Sequence, residues 1–127
     1  MRHFLFSLLF ILSVLSSVEA NQSYTLTASW YSVESLKQEG TYKYSKGVMA
    51  NGELFTNGFT CANRLYALGT MLRVTNIKTG KSVIVKTTDR IGKRFANTRI
   101  DLSQLAFSKL AKLEKGIISV NVEVIHE

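Results

Sequence analysis

The sequence predicts a mainly β protein, a small closed barrel with one short helix late in the chain. Short apolar segments with the alternation of β-strands recur along the chain, whereas only residues 102–115 combine a long segment with helical spacing of apolar residues. Several predicted strands are separated by connections too long for a simple meander. A closed barrel accommodates such connections and leaves no sheet edge exposed.

The first residues have the features of a secretory signal peptide. Arg2 and His3 precede an apolar run over residues 4–15, and residues 18–20 resemble a signal-peptidase site. The run is short for a bilayer span of about 20 residues, and no cysteine near the cut offers a site for a lipid anchor. We therefore expect a signal peptide at residues 1–20 and one domain at residues 21–127. The protein would be periplasmic or extracellular, with no stable membrane anchor after cleavage.

The first half of the domain predicts one strand, a long loop and a turn. Residues 24–31 are rich in aromatic and β-branched side chains and form the first predicted strand. Residues 32–46 are polar and predict a surface loop with one helical turn near residues 34–38. Asn51 and Gly52 tolerate positive φ and predict a turn that presents Glu53. A short apolar segment follows at residues 59–62.

The second half predicts a β-hairpin, a helix and a last strand. Strands at residues 71–76 and 82–88 are joined by a turn in which Gly80 takes the position that requires positive φ. On the return strand, two sets of side chains are expected to face opposite sides: Val83, Val85 and Thr87 on one side, and Ile84, Lys86 and Thr88 on the other. Residues 117–125 alternate and form the last strand.

The predicted helix covers residues 102–115, which places a carboxylate at its N-terminal end. The apolar residues that share its face are Leu102, Leu105, Ala106, Leu110 and Leu113. Ser103 is expected to cap the helix, and Gly116 to end it. Asp101 then lies just before the cap, and Asp89 lies at the end of the preceding strand.

Composition excludes several classes of function. The chain carries 16 Lys and Arg against 9 Asp and Glu, so an anionic surface such as cell-wall polymer or membrane is the expected partner. Nucleic acid is not expected, because no basic helix or zinc spacing accompanies the charge. Cys61 is the only cysteine and predicts a small buried hydrophobe. His126 is the only histidine outside the leader, so Asp and Glu must carry any proton transfer, and no metal site or cofactor is expected.

Four segments, taken in order, resemble the rare lipoprotein A (RlpA) family. They are ASWY at residues 28–31, ANGE at 50–53, the hairpin region at 68–85, and DR with RIDLS at 89–103. The resemblance covers about residues 28 to 124. It implies a six-stranded double-psi β-barrel, the fold that this family shares with expansins and some cell-wall lytic enzymes.

The same resemblance implies a lytic transglycosylase. Such an enzyme cuts the β-1,4 bond between N-acetylmuramic acid and N-acetylglucosamine in peptidoglycan, prefers strands stripped of stem peptides, and leaves a 1,6-anhydro end. A general acid protonates the glycosidic oxygen, and a carboxylate takes the proton from the sugar's own 6-hydroxyl. The implied partner is the peptidoglycan glycan strand, bound by a monomer that acts in cell-wall remodelling or division.

The family motifs assign roles to individual residues. The aspartate of the Asp-Arg motif falls on Asp89, the expected acid/base, and the turn glutamate falls on Glu53, which would assist it. The aspartate of the Ile-Asp-Leu-Ser motif falls on Asp101, which would position the substrate. The remaining candidates for substrate binding are Asn51, Asn63 and Arg90.

Two departures from the family pattern motivate an alternative function. Asn63 stands where the family commonly has histidine, and Ile91-Gly92 stands where it has Gly-Pro. Together with the positive charge, these residues favour a non-catalytic, expansin-like module that binds peptidoglycan or another polysaccharide. Product formation from peptide-stripped glycan distinguishes the two hypotheses.

Overall fold

The computed structural model describes residues 23–126, and these residues form a closed β-barrel. Its six strands are β1 (Ser23–Tyr31), β2 (Thr60–Ala62), β3 (Met71–Asn76), β4 (Ser82–Asp89), β5 (Arg99–Ser103) and β6 (Ile118–Val124). They follow one another around the barrel in the order β1-β5-β2-β4-β3-β6. Two pairs are parallel, β1 with β5 and β2 with β4, and the other four are antiparallel. The predicted signal peptide lies outside the described residues.

The connections between strands contain three short helices, α1 (Val33–Gln38), α2 (Tyr42–Ser45) and α3 (Gln104–Ser108). They also contain two 3-10 turns, at Lys93–Phe95 and Leu113–Lys115. Ser32 and Ser35 cap the start of α1 reciprocally, each side chain bonding the backbone N–H of the other. The predicted loop over residues 32–46 thus contains the expected helical turn and a second short helix. Within residues 23–126, no helix is long and apolar enough to span a bilayer.

The β3–β4 hairpin agrees with its sequence pattern, with one local exception. Gly80 has a φ of 77° and donates its N–H to the Asn76 carbonyl at 2.8 Å. Thr87 is buried on the expected side, but Thr88 is buried too. The pairing of β2 with β4 explains this difference. Cys61 pairs with Thr87 and Ala62 with Asp89, so Thr88 is the extra, unpaired residue of a β-bulge.

The prediction of one helix over residues 102–115 is wrong. Residues 99–103 form β5, and α3 ends at Ser108. Ser103 does cap α3, since its hydroxyl accepts the Ala106 N–H at 3.1 Å. The chain leaves the helix after Ser108, and the Asn76 side chain donates to the Leu110 carbonyl at 3.0 Å, which satisfies an acceptor beyond the helix end. Gly116 ends only the 3-10 turn before it.

Apolar side chains fill two clusters. The larger one lies inside the barrel, and its bulkiest fully buried members are Phe107, Leu72, Ile100 and Leu102. Cys61 belongs to it and is fully buried, as predicted, and burial raises the pKa of its thiol to about 12. The smaller cluster lies below the groove described next and consists of Tyr31, Met49, Phe55, Ala62 and Ile91.

Candidate active site

A groove of about 610 Å³ opens where β1 and β4 end. The segment that carries α1 and α2 forms one wall, and the loop with the 3-10 turn Lys93–Phe95 forms another. Its charged lining residues are Glu39, Asp89, Arg90, Arg94, Arg99 and Asp101. The three acids and three arginines balance in formal charge.

Four groove residues form a row across four neighbouring strands. Ala62 of β2 pairs with Asp89 of β4 on one side and with Asp101 of β5 on the other, and Asp101 pairs in turn with Ser29 of β1. Adjacent strands lie about 4.8 Å apart, so the two aspartate Cα atoms are about 10 Å apart. The methyl group of Ala62 leaves the space between the two carboxylates open.

The β-bulge between β2 and β4 creates this row. With regular pairing, the residue after Thr87 would stand opposite Ala62, and that residue is Thr88. The extra residue leaves Thr88 unpaired with β2 and buried, and its hydroxyl donates to the sulfur of Met49, a member of the smaller cluster, at 3.2 Å. Asp89 therefore moves to the groove side of the strand. Bulges commonly re-aim a side chain next to an active site in this way.

Asp89 is held by backbone donors. Its Oδ1 accepts the N–H of Ala50 at 3.0 Å and that of Arg90 at 2.9 Å. The Ala50 donor belongs to the turn predicted from Asn51 and Gly52, and this turn is tied to β4 because the Asn51 N–H bonds the Thr88 carbonyl at 3.1 Å. The carboxylate thus has a defined orientation at the edge of the groove.

Asp101 is a partly buried carboxyl with a raised pKa. Burial raises the pKa of its carboxyl to about 6, and the nearby charges of Glu39 and Asp89 act in the same direction. The Ser29 hydroxyl, which donates to Oδ1 at 3.0 Å, opposes this rise in pKa, as does the charge of Arg99. A substantial share of Asp101 is therefore protonated just below neutral pH.

Tyr31 is a groove residue that the sequence analysis did not identify. Its ring stacks on Phe55 with centroids 4.7 Å apart, and its buried hydroxyl lies beside the Asp89 carboxylate without a hydrogen bond of ordinary geometry within residues 23–126. Burial raises the pKa of the phenol far above its ordinary value, and the charges of Asp89 and Asp101 raise it further. The hydroxyl therefore stays protonated as a donor. The available signal was its position at the end of the ASWY segment, one of the four segments that resemble the family.

The predicted site residues separate into two groups. Asp89, Asp101 and Arg90 line the groove, whereas Glu53, Asn51 and Asn63 are not among its lining residues. Glu53 is exposed and bonded to its own turn: the Asn51 amide donates to its Oε1 at 2.6 Å, and its N–H donates to Asn51 Oδ1 at 3.0 Å. The turn supports Asp89 through Ala50 rather than presenting Glu53 inside the groove.

Asn63 has a structural position, so the expectation that it contacts sugar is corrected. It is fully buried, its Nδ2 donates to Thr87 Oγ1 at 3.2 Å, and its Oδ1 accepts the N–H groups of Leu65 and Tyr66. The side chain shapes the turn after β2 and offers no exposed atom to a ligand. Arg90 fastens this turn to the groove, since its Nη1 donates to the carbonyls of Asn63 at 2.9 Å and Tyr66 at 2.7 Å.

Two further cations face the groove. The guanidinium groups of Arg94 and Arg99 lie 4.6 and 4.2 Å from the ring centre of Phe95, which holds both side chains at the wall. The sequence analysis did not assign them to the site. In the part of the chain that the structure describes, no group of three or more His, Cys, Asp or Glu side chains is placed to hold a metal ion.

Comparison with known proteins gives a consistent result. A family model described as "Lytic transglycolase" matches residues 23–122. The chain is 42% identical over 98 residues to the endolytic peptidoglycan transglycosylase RlpA of Pseudomonas aeruginosa, covering 76% of this chain and 26% of that protein. It is 43% identical over 75 residues to the uncharacterized protein ssl3177 of Synechocystis, covering 58% of this chain and 78% of that protein. The chain therefore spans about a quarter of the Pseudomonas relative.

Solved structures confirm the expected fold. The Streptomyces papain inhibitor aligns with a TM-score of 0.63 at 22% identity, over 83% of this chain and 96% of that one. An expansin of Clavibacter michiganensis, solved in complex with cellohexaose, aligns with a TM-score of 0.59 at 22% identity, over 83% of this chain and 51% of that one. The predicted six-stranded double-psi β-barrel is thereby confirmed.

Proposed function

This chain belongs to the lytic transglycolase family, and on that premise we propose that it is a peptidoglycan transglycosylase. It cleaves the β-1,4 bond between N-acetylmuramic acid and N-acetylglucosamine in peptide-stripped strands and leaves a 1,6-anhydro end. It acts outside the inner membrane as a monomer, in cell-wall remodelling or division. The observation that carries the proposal is the pair of carboxylates, Asp89 and Asp101, on either side of Ala62 in one groove.

In this proposal Asp101 is the general acid that protonates the leaving glycosidic oxygen. Its pKa of about 6 keeps part of the carboxyl protonated just below neutral pH, where an ordinary aspartate is fully ionised. The Ser29 hydroxyl holds Oδ1, and Arg99 stabilises the carboxylate after the proton has left. This assignment revises the expectation drawn from the resemblance, in which Asp89 was the acid/base and Asp101 positioned the substrate.

Asp89 is then the base that takes the proton from the 6-hydroxyl of the muramic acid. The attack of that oxygen on the anomeric carbon is intramolecular, so holding the sugar in the reactive geometry supplies much of the rate. The backbone donors from Ala50 and Arg90 fix the carboxylate for this task. Glu53 and Asn51 act indirectly: the hydrogen bonds between them stabilise the turn whose Ala50 N–H binds Asp89.

The arginines of the groove explain a preference for stripped strands. When the stem peptide is removed, the lactyl group of N-acetylmuramic acid ends in a free carboxylate. Arg94 and Arg99 present guanidinium groups on the groove wall, and guanidinium pairs well with carboxylate. A strand with its peptides attached lacks this charge at the same position.

The decisive experiment is product analysis. The protein is incubated with peptide-stripped glycan strands, and mass spectrometry detects anhydro-ended products from wild type but not from Asp89→Asn or Asp101→Asn. Lys86→Gln, a change of an exposed side chain on the barrel wall, serves as the control and keeps activity. The absence of product from folded wild-type protein would overturn the proposal.

A second candidate is a non-catalytic module that binds peptidoglycan or another polysaccharide along the same groove. It is favoured by the likeness to an expansin fold and by the buried position of Asn63, where the family commonly carries a titratable histidine. Sedimentation with insoluble peptidoglycan separates the two candidates. Binding that survives Asp89→Asn and Asp101→Asn, without any product from wild type, is the result that this second function requires.

A further inference from the structure

A second groove, of about 500 Å³, lies near the other end of β4 and has no part in the proposed function. The β3–β4 turn forms one side of it, and the segments at residues 110–112 and 115–119 form the other. Strand β4 has 8 residues and runs from this groove to Asp89, a distance of about 25 Å. We call this site the lysine groove, after Lys78, Lys81, Lys112 and Lys115 in its lining.

The charge of the lysine groove is unbalanced. All four of its lysines are exposed, and no acidic residue is among those that line it. The groove with Asp89 and Asp101, by contrast, has as many acids as arginines. Four of the 16 Lys and Arg residues of the chain therefore lie around this one groove, with Glu114 as an exposed acidic neighbour in sequence. A concentrated positive potential selects an anionic occupant and increases its rate of encounter.

Exposed aliphatic side chains accompany these lysines. Ile117 lines the groove and is 53% exposed, and Ile77 beside it is 52% exposed. The two lie close together, because the Ile77 N–H bonds the carbonyl of Ser119, two residues after Ile117. Aliphatic tips surrounded by lysine are typical of surfaces that enter the boundary between lipid headgroups and acyl chains. A soluble anionic polymer would make no use of the isoleucines.

Hydrogen bonds hold this surface in place. The Asn76 amide donates to the Leu110 carbonyl at 3.0 Å, its Oδ1 accepts the Lys78 N–H at 3.0 Å, and its carbonyl accepts the Gly80 N–H. One buried side chain thus fastens the hairpin turn to the segment after α3. The lysines stand on a preformed scaffold, so little ordering of the backbone is needed when a flat partner binds.

We propose that the lysine groove docks the protein on an anionic phospholipid bilayer. Lysine ammonium groups meet the lipid phosphates, and Ile77 and Ile117 enter the headgroup layer. The active-site groove, at the far end of β4, then faces away from the bilayer. Single patches of this kind bind reversibly, so the protein stays free to leave the membrane. The inference stands on the lysine groove itself and is independent of the catalytic assignments.

The test is sedimentation of the protein with lipid vesicles. Residues 21–127 are used, because the closed barrel lies wholly within residues 23–126 and the apolar leader would bind lipid by itself. We expect binding to vesicles of phosphatidylcholine mixed with phosphatidylglycerol and none to phosphatidylcholine alone. The double change Lys112→Glu with Lys115→Glu weakens binding at least about 25-fold, since each lysine near an anionic surface contributes about a factor of 5.

The matched control changes net charge equally at another place. Lys43→Glu with Lys86→Glu reverses two exposed lysines outside the lysine groove and is expected to keep vesicle binding within about threefold. Ile77→Ser with Ile117→Ser removes the part of the binding that survives high salt. Equal losses from both lysine pairs, or displacement from vesicles by soluble polyphosphate at matched phosphate concentration, would overturn the proposal. Circular dichroism checks that each variant is folded.

Discussion

At the scale of single residues, the pKa of Asp101 has a direct kinetic consequence. If its protonated form is the general acid, the rate falls about tenfold per pH unit above a pH of about 6. Asp101→Asn removes the proton and should lower turnover by about 10²–10⁴-fold. Initial rates on stripped glycan between about pH 5 and pH 8 test this. A flat wild-type profile over this range would exclude Asp101 as the acid.

The same carboxyl makes a prediction about stability. Its pKa in the folded protein lies above the ordinary value of 3.8, so burial costs stability once the group is charged. This cost is absent below the ordinary pKa and is complete as pH rises past about 6. Asp101→Asn should therefore be more stable than wild type by about 2 kcal/mol at pH 8, and equally stable near pH 3.5. Urea unfolding at both pH values measures the difference, and a constant difference would contradict the assignment.

Tyr31→Phe is expected to lower turnover without lowering the free energy of unfolding. The ring keeps its stacking on Phe55, and the lost hydroxyl is buried without a partner, so stability is unchanged or rises by about 1 kcal/mol. Turnover should fall by up to about tenfold, because the hydroxyl lies beside the Asp89 carboxylate and its loss changes the surroundings of the proposed base. Thermal unfolding and product analysis measure the two effects.

Tyr66→Phe is the matched control for this change. The Tyr66 hydroxyl is also buried without a partner in the described part of the chain, but it does not line the active-site groove. Its removal should affect stability in the same direction and leave activity unchanged. Equal activity losses in the two variants would show that Tyr31 acts only through packing.

At the scale of elements, the three-residue strand β2 separates the two carboxylates. Ala62→Val adds two methyl groups between Asp89 and Asp101, at a cost of about 1–3 kcal/mol for overpacking, and should abolish turnover while the barrel stays folded. Ala106→Val, a change in the main core on α3, gives a similar loss of stability without loss of activity. Activity assays at a temperature where both variants are folded distinguish blockage from destabilisation.

The elements also show which parts of the fold a sequence can predict. Strands β3 and β4 were predicted because local alternation and the turn at Gly80 agree. Strand β5 was missed, since its stabilising partner β1 lies far away in sequence, while Leu102, Ala106 and Leu110 have helical spacing locally. The Asn76 side chain, which satisfies the Leu110 carbonyl beyond the helix end, comes from another strand. A long-range contact of this kind leaves no local signal.

The candidate site was predictable to a similar extent. Motifs identified Asp89 and Asp101, because both directly follow or lie within apolar segments and belong to family patterns. The bulge at Thr88, which aims Asp89 into the groove, depends on the pairing of β2 with β4. The raised pKa of Asp101 depends on burial that the assembled barrel creates. Asn63 was misassigned because its amide resembles a sugar-binding group until its burial is known.

At the scale of the whole molecule, composition and topology together predict the folding kinetics. The chain contains no proline and only one cysteine, so neither proline isomerisation nor disulfide exchange within the chain slows refolding. The barrel pairs strands that are distant in sequence, which predicts a rate in the range of milliseconds to seconds. Stopped-flow refolding should follow a single exponential.

A double-jump experiment checks this kinetic prediction. The protein is unfolded for varied times before refolding, and the amplitude of the main phase should not depend on that delay. A growing phase of tens of seconds would show that a slow step other than proline isomerisation exists. The control is a variant with proline introduced in the exposed β3–β4 turn, for example Lys78→Pro, in which such a phase is expected to appear.

The shared pairing of Asp89 and Asp101 with Ala62 has a consequence for protein engineering. The distance between the Cα atoms of the two acids is set by the backbone hydrogen bonds that pair β4 and β5 with β2. It does not depend on the composition of the loops. The groove walls, by contrast, come from residues 32–46 and 92–98, which lie outside these paired strands. These two loops are therefore exchangeable parts, and grafting them from other barrels offers a way to redirect the chemistry to a new polysaccharide while the acid pair stays in place.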